Sequence, residues 1–157
     1  MTTIDLRAEL VQEIQNIPDS EQLLLRVMYY VRNLMKKEAV ELTLAGDALR
    51  LWNRTVELSA LKLGWDGADA MPMQKRTVQN VQRLIKAGVS SDFKEWVLFP
   101  DDNGTMLLQS KDGEASISIG NSSYSFVSTK SGQIKAEERQ RFSPMAVLNI
   151  MRTISNA

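Results

Sequence analysis

Residues 95–129 read EWVLFPDDNGTMLLQSKDGEASISIGNSSYSFVST, and this stretch decides the fold. Four runs of β-forming residues alternate in it with turn residues, which is typical of consecutive antiparallel strands. The runs cover residues 95–99, 105–110, 114–119 and 123–129. We therefore expect a four-stranded antiparallel meander.

Two turns fix the predicted register. Asp-Gly at 112–113 is a strong two-residue hairpin signal and places Leu108 opposite Ile117. A second two-residue turn at 121–122 places Ile117 opposite Phe126, so one apolar face runs across the last three strands. That face carries Met106, Leu108, Ala115, Ile117, Ile119, Tyr124 and Phe126. The opposite face carries Gln109, Ser116, Ser118 and Ser125. The 101–104 turn leaves the register of the first strand open.

The first forty residues (1–40) predict a helical hairpin. Apolar residues at steps of four and three indicate a helix over 3–17 that stops at Pro18. Asp19 or Ser20 is expected to cap a second helix. Its apolar stripe is Leu23, Leu24, Val27, Met28, Val31, Leu34 and Met35. The stripe is wider than contact with one small helix can cover. We therefore expect the two helices to pack together and leave apolar surface exposed for a partner.

Residues 41–157 predict an α+β domain, with a boundary at the polar stretch 36–41. One helix is expected over 42–63, ended by Gly64, and another from Pro72 in its first turn to Ala87. The inward positions predicted for these two helices are Leu44, Ala48, Leu51, Trp52, Val56, Leu63, Val78, Val81, Leu84 and Ile85.

The end of the chain predicts one more helix over the apolar face of the sheet. Ser143 as N-cap and Pro144 in the first turn open it, after a charged segment at 135–141 that we expect to be a turn or short helix. Its predicted inward residues are Met145, Leu148, Met151 and Ile154.

The composition excludes much catalytic chemistry. The 157 residues include no His and no Cys, so a zinc site built on these residues, a Ser-His-Asp triad and a Cys nucleophile cannot form. Ser-x-x-Lys occurs at 59–62 and 91–94 without the other elements of an acyl-transfer enzyme. We expect no catalytic residues, no cofactor and no metal ion.

Charge and hydropathy narrow the class of partner. The 19 basic and 19 acidic residues cancel, which gives no basic footprint for nucleic acid. No apolar run approaches the roughly 20 residues needed to cross a bilayer. The first residues lack the basic and apolar regions of a secretory signal. We expect a soluble, cytoplasmic protein that binds no membrane. DNA binding by the N-terminal helices is a third, less favoured hypothesis, since neither helix presents a basic face.

Residues 61–67, Leu-Lys-Leu-Gly-Trp-Asp-Gly, followed by Ala70, Pro72 and a helix, resemble a family of small bacterial and phage proteins with a Gly-Trp-Asp-Gly signature. The resemblance covers about residues 58–126 and continues in the Pro100 turn and the strand after it. The first forty residues are similar to the leader of antitoxin-like, addiction-module proteins. Neither resemblance supplies catalytic residues.

Two functional hypotheses follow. The leading one is a non-enzymatic protein–protein interaction module, antitoxin-like or immunity-like, that docks a partner or a second copy through its N-terminal helices. The residues predicted for that contact are Leu24, Val27, Met28, Val31 and Met35. The alternative is a small-ligand-binding or weakly enzymatic domain.

The alternative hypothesis depends on carboxylates near the signature. It takes Trp65, Asp66 and Asp69 as ligand-binding residues, with the acidic turn at 101–102 as a further candidate. The structural interpretation of the same residues is a turn in which Trp65 fills the junction between helix and sheet and Asp66 caps backbone N–H groups.

Overall fold

A computed structural model describes residues 2–18 and 21–156, apart from the side chains of Ile4 and of residues 34–43. The chain divides into two compact units, Met1–Thr43 and Leu44–Ala157. It is an α+β protein. The helices are α1 (Thr3–Gln15), α2 (Glu21–Thr43), α3 (Gly46–Ser59), α4 (Lys75–Ala87) and α5 (Pro144–Ser155). The strands are β1 (Trp96–Pro100), β2 (Met106–Ser110), β3 (Ala115–Ile119), β4 (Ser123–Ser128) and β5 (Lys135–Arg141).

The N-terminal unit contains the two helices that the apolar spacing predicts. A capping box begins α1: Asp5 N–H donates to Thr2 Oγ1 over 3.2 Å, and Thr2 N–H donates to Asp5 Oδ2 over 2.9 Å. The predicted caps of α2, Asp19 and Ser20, lie outside the described residues. The polar stretch at 36–41 is helical and belongs to α2. Among the described residues, no helix is both long enough and apolar enough to cross a bilayer.

The predicted burial of the apolar stripes between α1 and α2 is not observed. Leu6 and Leu10 on α1 are 53% and 59% exposed, and Leu24 and Met28 on α2 are 36% and 46% exposed. Helical periodicity places these residues on one face of each helix, but it does not determine what covers that face. The two stripes therefore stay open to solvent.

The sheet of the second unit is antiparallel, with strands in the order β1-β2-β3-β4-β5. Both predicted registers are confirmed: Leu108 pairs with Ile117, and Ile117 pairs with Phe126. Leu98 pairs with Leu108, so β1 continues the same apolar face with Trp96 and Leu98. Every residue predicted for that face is buried except Phe126, which is half-buried.

The prediction of four strands is wrong, because residues 135–141 form β5 rather than a turn or short helix. β5 pairs with β4 and is exposed along its whole length. A charged edge strand has no apolar alternation for sequence reasoning to detect, since backbone pairing with β4 forms it. A bulge interrupts the pairing between Tyr124 and Phe126, and there Arg139 N–H donates to Ser125 Oγ over 3.0 Å.

Helix α3 is shorter than the predicted helix, since it begins at Gly46 rather than at Leu42, and it buries part of the predicted face. It ends at Ser59 rather than at Gly64, and its buried residues are Ala48, Leu51, Thr55 and Leu58. The predicted inward residues Val56 and Leu63 are 50% and 68% exposed. The burial of Ala48 and Leu51 confirms the prediction for them, and Leu44 and Trp52 are half-buried against the core.

Helices α4 and α5 mostly confirm the predicted stripes. Val81, Leu84 and Ile85 are buried on α4, and Leu148, Met151 and Ile154 are buried on α5. Ser143 caps α5 as predicted. Two predictions are wrong: Met145 is 49% exposed, and α4 begins at Lys75 instead of at Pro72. Pro72 lies in a segment without regular secondary structure, which backbone hydrogen bonds hold against the 101–104 turn.

An ion pair ties α5 to the loop before β1. Arg152 Nε and Nη2 donate to the two oxygens of the Asp92 carboxylate over 2.8 and 3.0 Å, and Val89 N–H donates to Asp92 Oδ2 over 2.9 Å. The Asp92 side chain is only 9% exposed. The hydrogen bond from Arg152 lowers the pKa of the Asp92 carboxyl below its ordinary value of 3.8.

We expect Asp92→Asn to lower the free energy of unfolding by about 2 kcal/mol at neutral pH, because it removes a charged partner from Arg152. A lowered folded-state pKa adds stability above the unfolded pKa of 3.8, and this is lost as the pH falls through the folded pKa. The Asp92→Asn variant has no carboxyl group at this position, so its free energy of unfolding should fall less at acidic pH than that of the wild type. Urea unfolding at several pH values measures both effects, with the exposed-site variant Asp69→Asn as control. Equal acid sensitivity of Asp92→Asn and the wild type would contradict the assignment.

Candidate functional site

The Gly-Trp-Asp-Gly segment forms a closed turn between α3 and α4. Gly64 N–H donates to Ala70 O over 2.7 Å, and Ala70 N–H donates to Gly67 O over 3.1 Å. Gly64 and Gly67 have φ angles of 81° and 130°, where residues with a side chain are strained. The two signature glycines therefore shape the backbone of this turn.

Trp65 is half-buried and packs against the core of the second unit. Its indole Nε1 donates to Met71 O over 2.7 Å, which joins the two ends of the turn. The side chain that the signature predicts as a ligand contact thus has its polar atom occupied within the protein. This geometry agrees with the structural interpretation of Trp65.

Asp66 and Asp69 are both exposed. Within the described part of the chain, the Asp66 carboxylate accepts no backbone hydrogen bond, so the predicted capping role is not observed. A group of three or more acidic residues that could hold a metal ion is absent among the described residues. Three concavities, of about 240, 320 and 340 Å³, are lined by other residues.

The signature segment and the acidic turn at 101–104 nevertheless meet through their backbones. Met71 N–H donates to Asp102 O over 2.7 Å, and Gln74 N–H donates to Gly104 O over 3.0 Å. Gly104 has a φ angle of 86° and is buried against the segment that precedes α4. A Cβ at this position would lie 2.9 Å from Pro72 O and 3.0 Å from Gln74 Cγ.

We expect Gly104→Ala to lower the free energy of unfolding by about 3 kcal/mol. Alanine would be strained at the positive φ, and its Cβ would also contact Pro72 and Gln74 too closely. Gly113→Ala is the matched control. Gly113 also has a positive φ, 76°, but the nearest heavy atom to its Cβ would be Gln109 Nε2 at 3.8 Å. Urea unfolding of both variants should show the larger loss at Gly104, and equal losses would contradict the contact with Pro72.

The apolar surface of the N-terminal unit is the second candidate site. We define the helix stripe as the exposed apolar residues on one face of α1 and on one face of α2. They are Leu6, Leu10, Val11, Ile14, Leu23, Leu24, Met28 and Val31, each between 36% and 59% exposed. Leu25, Tyr29 and Tyr30 are exposed on other sides of α2.

The residues predicted for partner contact all lie on α2, but their exposure to solvent differs. Leu24, Met28 and Val31 belong to the helix stripe, and Val27 is half-buried. The Met35 side chain lies outside the described part of the chain. Sequence reasoning missed Tyr29 and Tyr30, which are 71% and 65% exposed, because they do not follow the apolar spacing.

A cavity of about 240 Å³ opens between α5 and the end of the sheet. Phe126, Ile150 and Ile154 form its apolar wall, and Lys130 and Lys135 also line it. Lys130 Nζ lies 3.2 Å from Asp112 Oδ2, and the hydrogen bond from Ser110 lowers the pKa of the Asp112 carboxyl to about 2. The lining combines apolar side chains with positive charge, which suits a small apolar molecule with an anionic group.

Comparison of the chain with protein-family models, with curated proteins and with solved structures found no match. The functional proposals below therefore depend on the residues and geometry of this chain.

Proposed function

We propose that the chain is a protein–protein interaction module that assembles with a second copy of itself through the helix stripe of α1 and α2. The observation that carries this proposal is the row of apolar side chains left exposed on both helices, with Leu24, Met28 and Val31 on one face of α2. The antitoxin-like or immunity-like role and the cytoplasmic location stay predictions.

The size of the helix stripe supports a stable partner. Each of its eight apolar side chains is at least 36% exposed, and they lie on only two consecutive helices. Single exposed apolar residues are ordinary on a monomer, whereas apolar residues grouped on one face mark interaction sites.

A second copy of the chain presents the same apolar surface and can cover the helix stripe. A two-fold dimer sets the same patch of each copy against the other, so four amphipathic helices cover one another. In the proposed dimer, α2 of one copy lies against α2 of the other near the two-fold axis.

Cross-linking of single-cysteine variants tests the proposal. Because the natural chain contains no Cys, Met28→Cys introduces one thiol into the helix stripe of α2. Mild oxidation should give a disulfide-linked dimer, since two copies of α2 meet near the two-fold axis. Asn33→Cys, on the opposite face of the same helix, is the matched control. Equal cross-linking of both variants, or none of Met28→Cys together with a monomeric mass, would contradict the proposal.

A second candidate function, binding of a small ligand, is favoured by the cavity beside α5. The apolar wall and the Lys135 ammonium group suit a medium-chain carboxylate, so sodium octanoate is a suitable probe. We expect octanoate to shift the amide signals of Thr153 and Ile154, and Ile150→Trp to abolish the shifts by filling the cavity. Met145→Trp, on an exposed position of the same helix, should leave them unchanged. Shifts that survive Ile150→Trp would exclude this cavity.

A further inference from the structure

A third concavity, of about 340 Å³, brings together three arginines from distant parts of the sequence. Arg76 and Arg83 come from α4, and Arg141 is the last residue of β5. Asn80, Asn121, Ser122 and Phe142 complete the lining. The chain as a whole has no net charge, but this concavity has a local charge of +3 and no acidic residue among its lining residues.

Among the described residues, no acidic side chain forms an ion pair with any of the three arginines. The ion pairs of the described residues involve Arg50, Arg54, Lys130 and Arg152. Arg83 lies over the ring of Phe142, 6.0 Å from its centroid, and this contact leaves the charge in place. All three side chains are exposed at the surface and can therefore meet a ligand.

The polar groups between the arginines are arranged as donors. Asn80 Nδ2 donates to Gly120 O and Asn121 O, both over 2.9 Å, which fixes the β3–β4 turn against α4. Thr77 Oγ1 donates to Asn121 Oδ1 over 3.2 Å, so the amide nitrogen of Asn121 keeps both of its hydrogens available. Asn80 and Thr77 are buried and position the turn rather than contact a ligand.

The start of α4 adds a further positive potential. The first N–H groups of a helix have no partner within the helix, and its amino end carries a partial positive charge. The first turn of α4 contains no acidic residue, and its N-cap, Gln74, makes no side-chain capping bond. A protein usually offsets this charge with Asp or Glu, and here Arg76 increases it.

We propose that this concavity, which we name the arginine site, binds the phosphate group of a small phosphorylated molecule. Arginine forks match the oxygens of a phosphate through paired N–H bonds, and Asn121 supplies further donors. The volume of about 340 Å³ holds a phosphate group together with part of the organic molecule that carries it. Along β5, the exposed Glu137 and Glu138 interrupt the positive charge of Lys135 and Arg139, so the strand offers no continuous basic surface for a long polyanion.

Titration of the full chain with sodium pyrophosphate, at constant ionic strength, tests the proposal. We expect saturable binding with one site per chain, and chemical-shift changes that centre on Asn121 and Ser122. Arg83→Gln and Arg141→Gln should each weaken binding about tenfold, because each removes a charged pair of donors from the anion. Lys111→Gln makes the same change of charge at an exposed turn outside the arginine site and should leave the affinity unchanged. Far-UV circular dichroism verifies that each variant is folded.

Three results would overturn the proposal. The first is the absence of saturable pyrophosphate binding to the folded chain. The second is an equal loss of affinity in Lys111→Gln, which would show that binding depends on the overall charge of the chain and not on the arginine site. The third is tighter binding of a short single-stranded oligonucleotide than of pyrophosphate, with the same dependence on Arg83 and Arg141, which would make the site a nucleic-acid contact.

Discussion

Replacement of Trp96 by alanine is expected to lower the free energy of unfolding by about 4 kcal/mol, the typical loss for a fully buried aromatic side chain. Trp96 is 0% exposed and belongs to the apolar face between the sheet and the helices of the second unit. It begins β1 and pairs with Ser110 of β2. Removal of its indole would leave a cavity that the surrounding strands and helices cannot fill by small shifts.

Trp96→Phe should cost much less, about 1 kcal/mol. Among the described residues, the buried Trp96 Nε1 has no hydrogen-bond partner, and its desolvation penalty disappears when phenylalanine removes the donor. That gain offsets part of the lost volume. Urea unfolding followed by the fluorescence of Trp52 and Trp65, which remain in both variants, measures the two losses. Similar losses in Trp96→Phe and Trp96→Ala would show that the Trp96 Nε1–H is hydrogen-bonded in the folded protein.

Simultaneous replacement of Leu24, Met28 and Val31 by glutamine is expected to weaken self-association at least about a hundredfold. The three residues lie on one face of α2 and lose the apolar side chains that the proposed dimer would bury. Glutamine has a good helix propensity, so α2 itself should persist. Sedimentation velocity over a range of protein concentrations gives the dissociation constant.

The matched control is Arg26→Gln with Asn33→Gln, two changes on the opposite face of α2. Both residues are exposed, so this double variant should associate like the wild type. If both sets of changes weaken the dimer equally, the contact does not run through Leu24, Met28 and Val31. If neither does, the association uses another surface.

The sheet could be predicted from residues 95–129 because local chemistry determines it. Asp112 accepts hydrogen bonds from Ser110 Oγ over 2.6 Å and from Glu114 N–H over 3.0 Å, so the hairpin forms within a few residues. β5 could not be predicted, since its strand conformation depends on backbone pairing with β4. Pro72 misled the prediction for the same reason, because the bonds that hold its segment in place come from the 101–104 turn.

The candidate sites were predictable only where one element carries them. Leu24, Met28 and Val31 share one helix, so their spacing identifies the face in advance. The arginine site could not be found in this way, because Arg141 reaches Arg76 and Arg83 only after β5 has joined the sheet. A net charge of zero conceals such a cluster, since the acidic residues that balance it lie elsewhere in the chain.

The most direct measurement of the central claim is the mass of the purified full chain by sedimentation equilibrium. The chain mass is 17.7 kDa, and we predict twice this value at micromolar concentration, with dissociation upon dilution. A mass of 17.7 kDa at the highest attainable concentration would contradict self-assembly through α1 and α2. A larger complex that forms only with a different protein would assign the helix stripe to that partner instead.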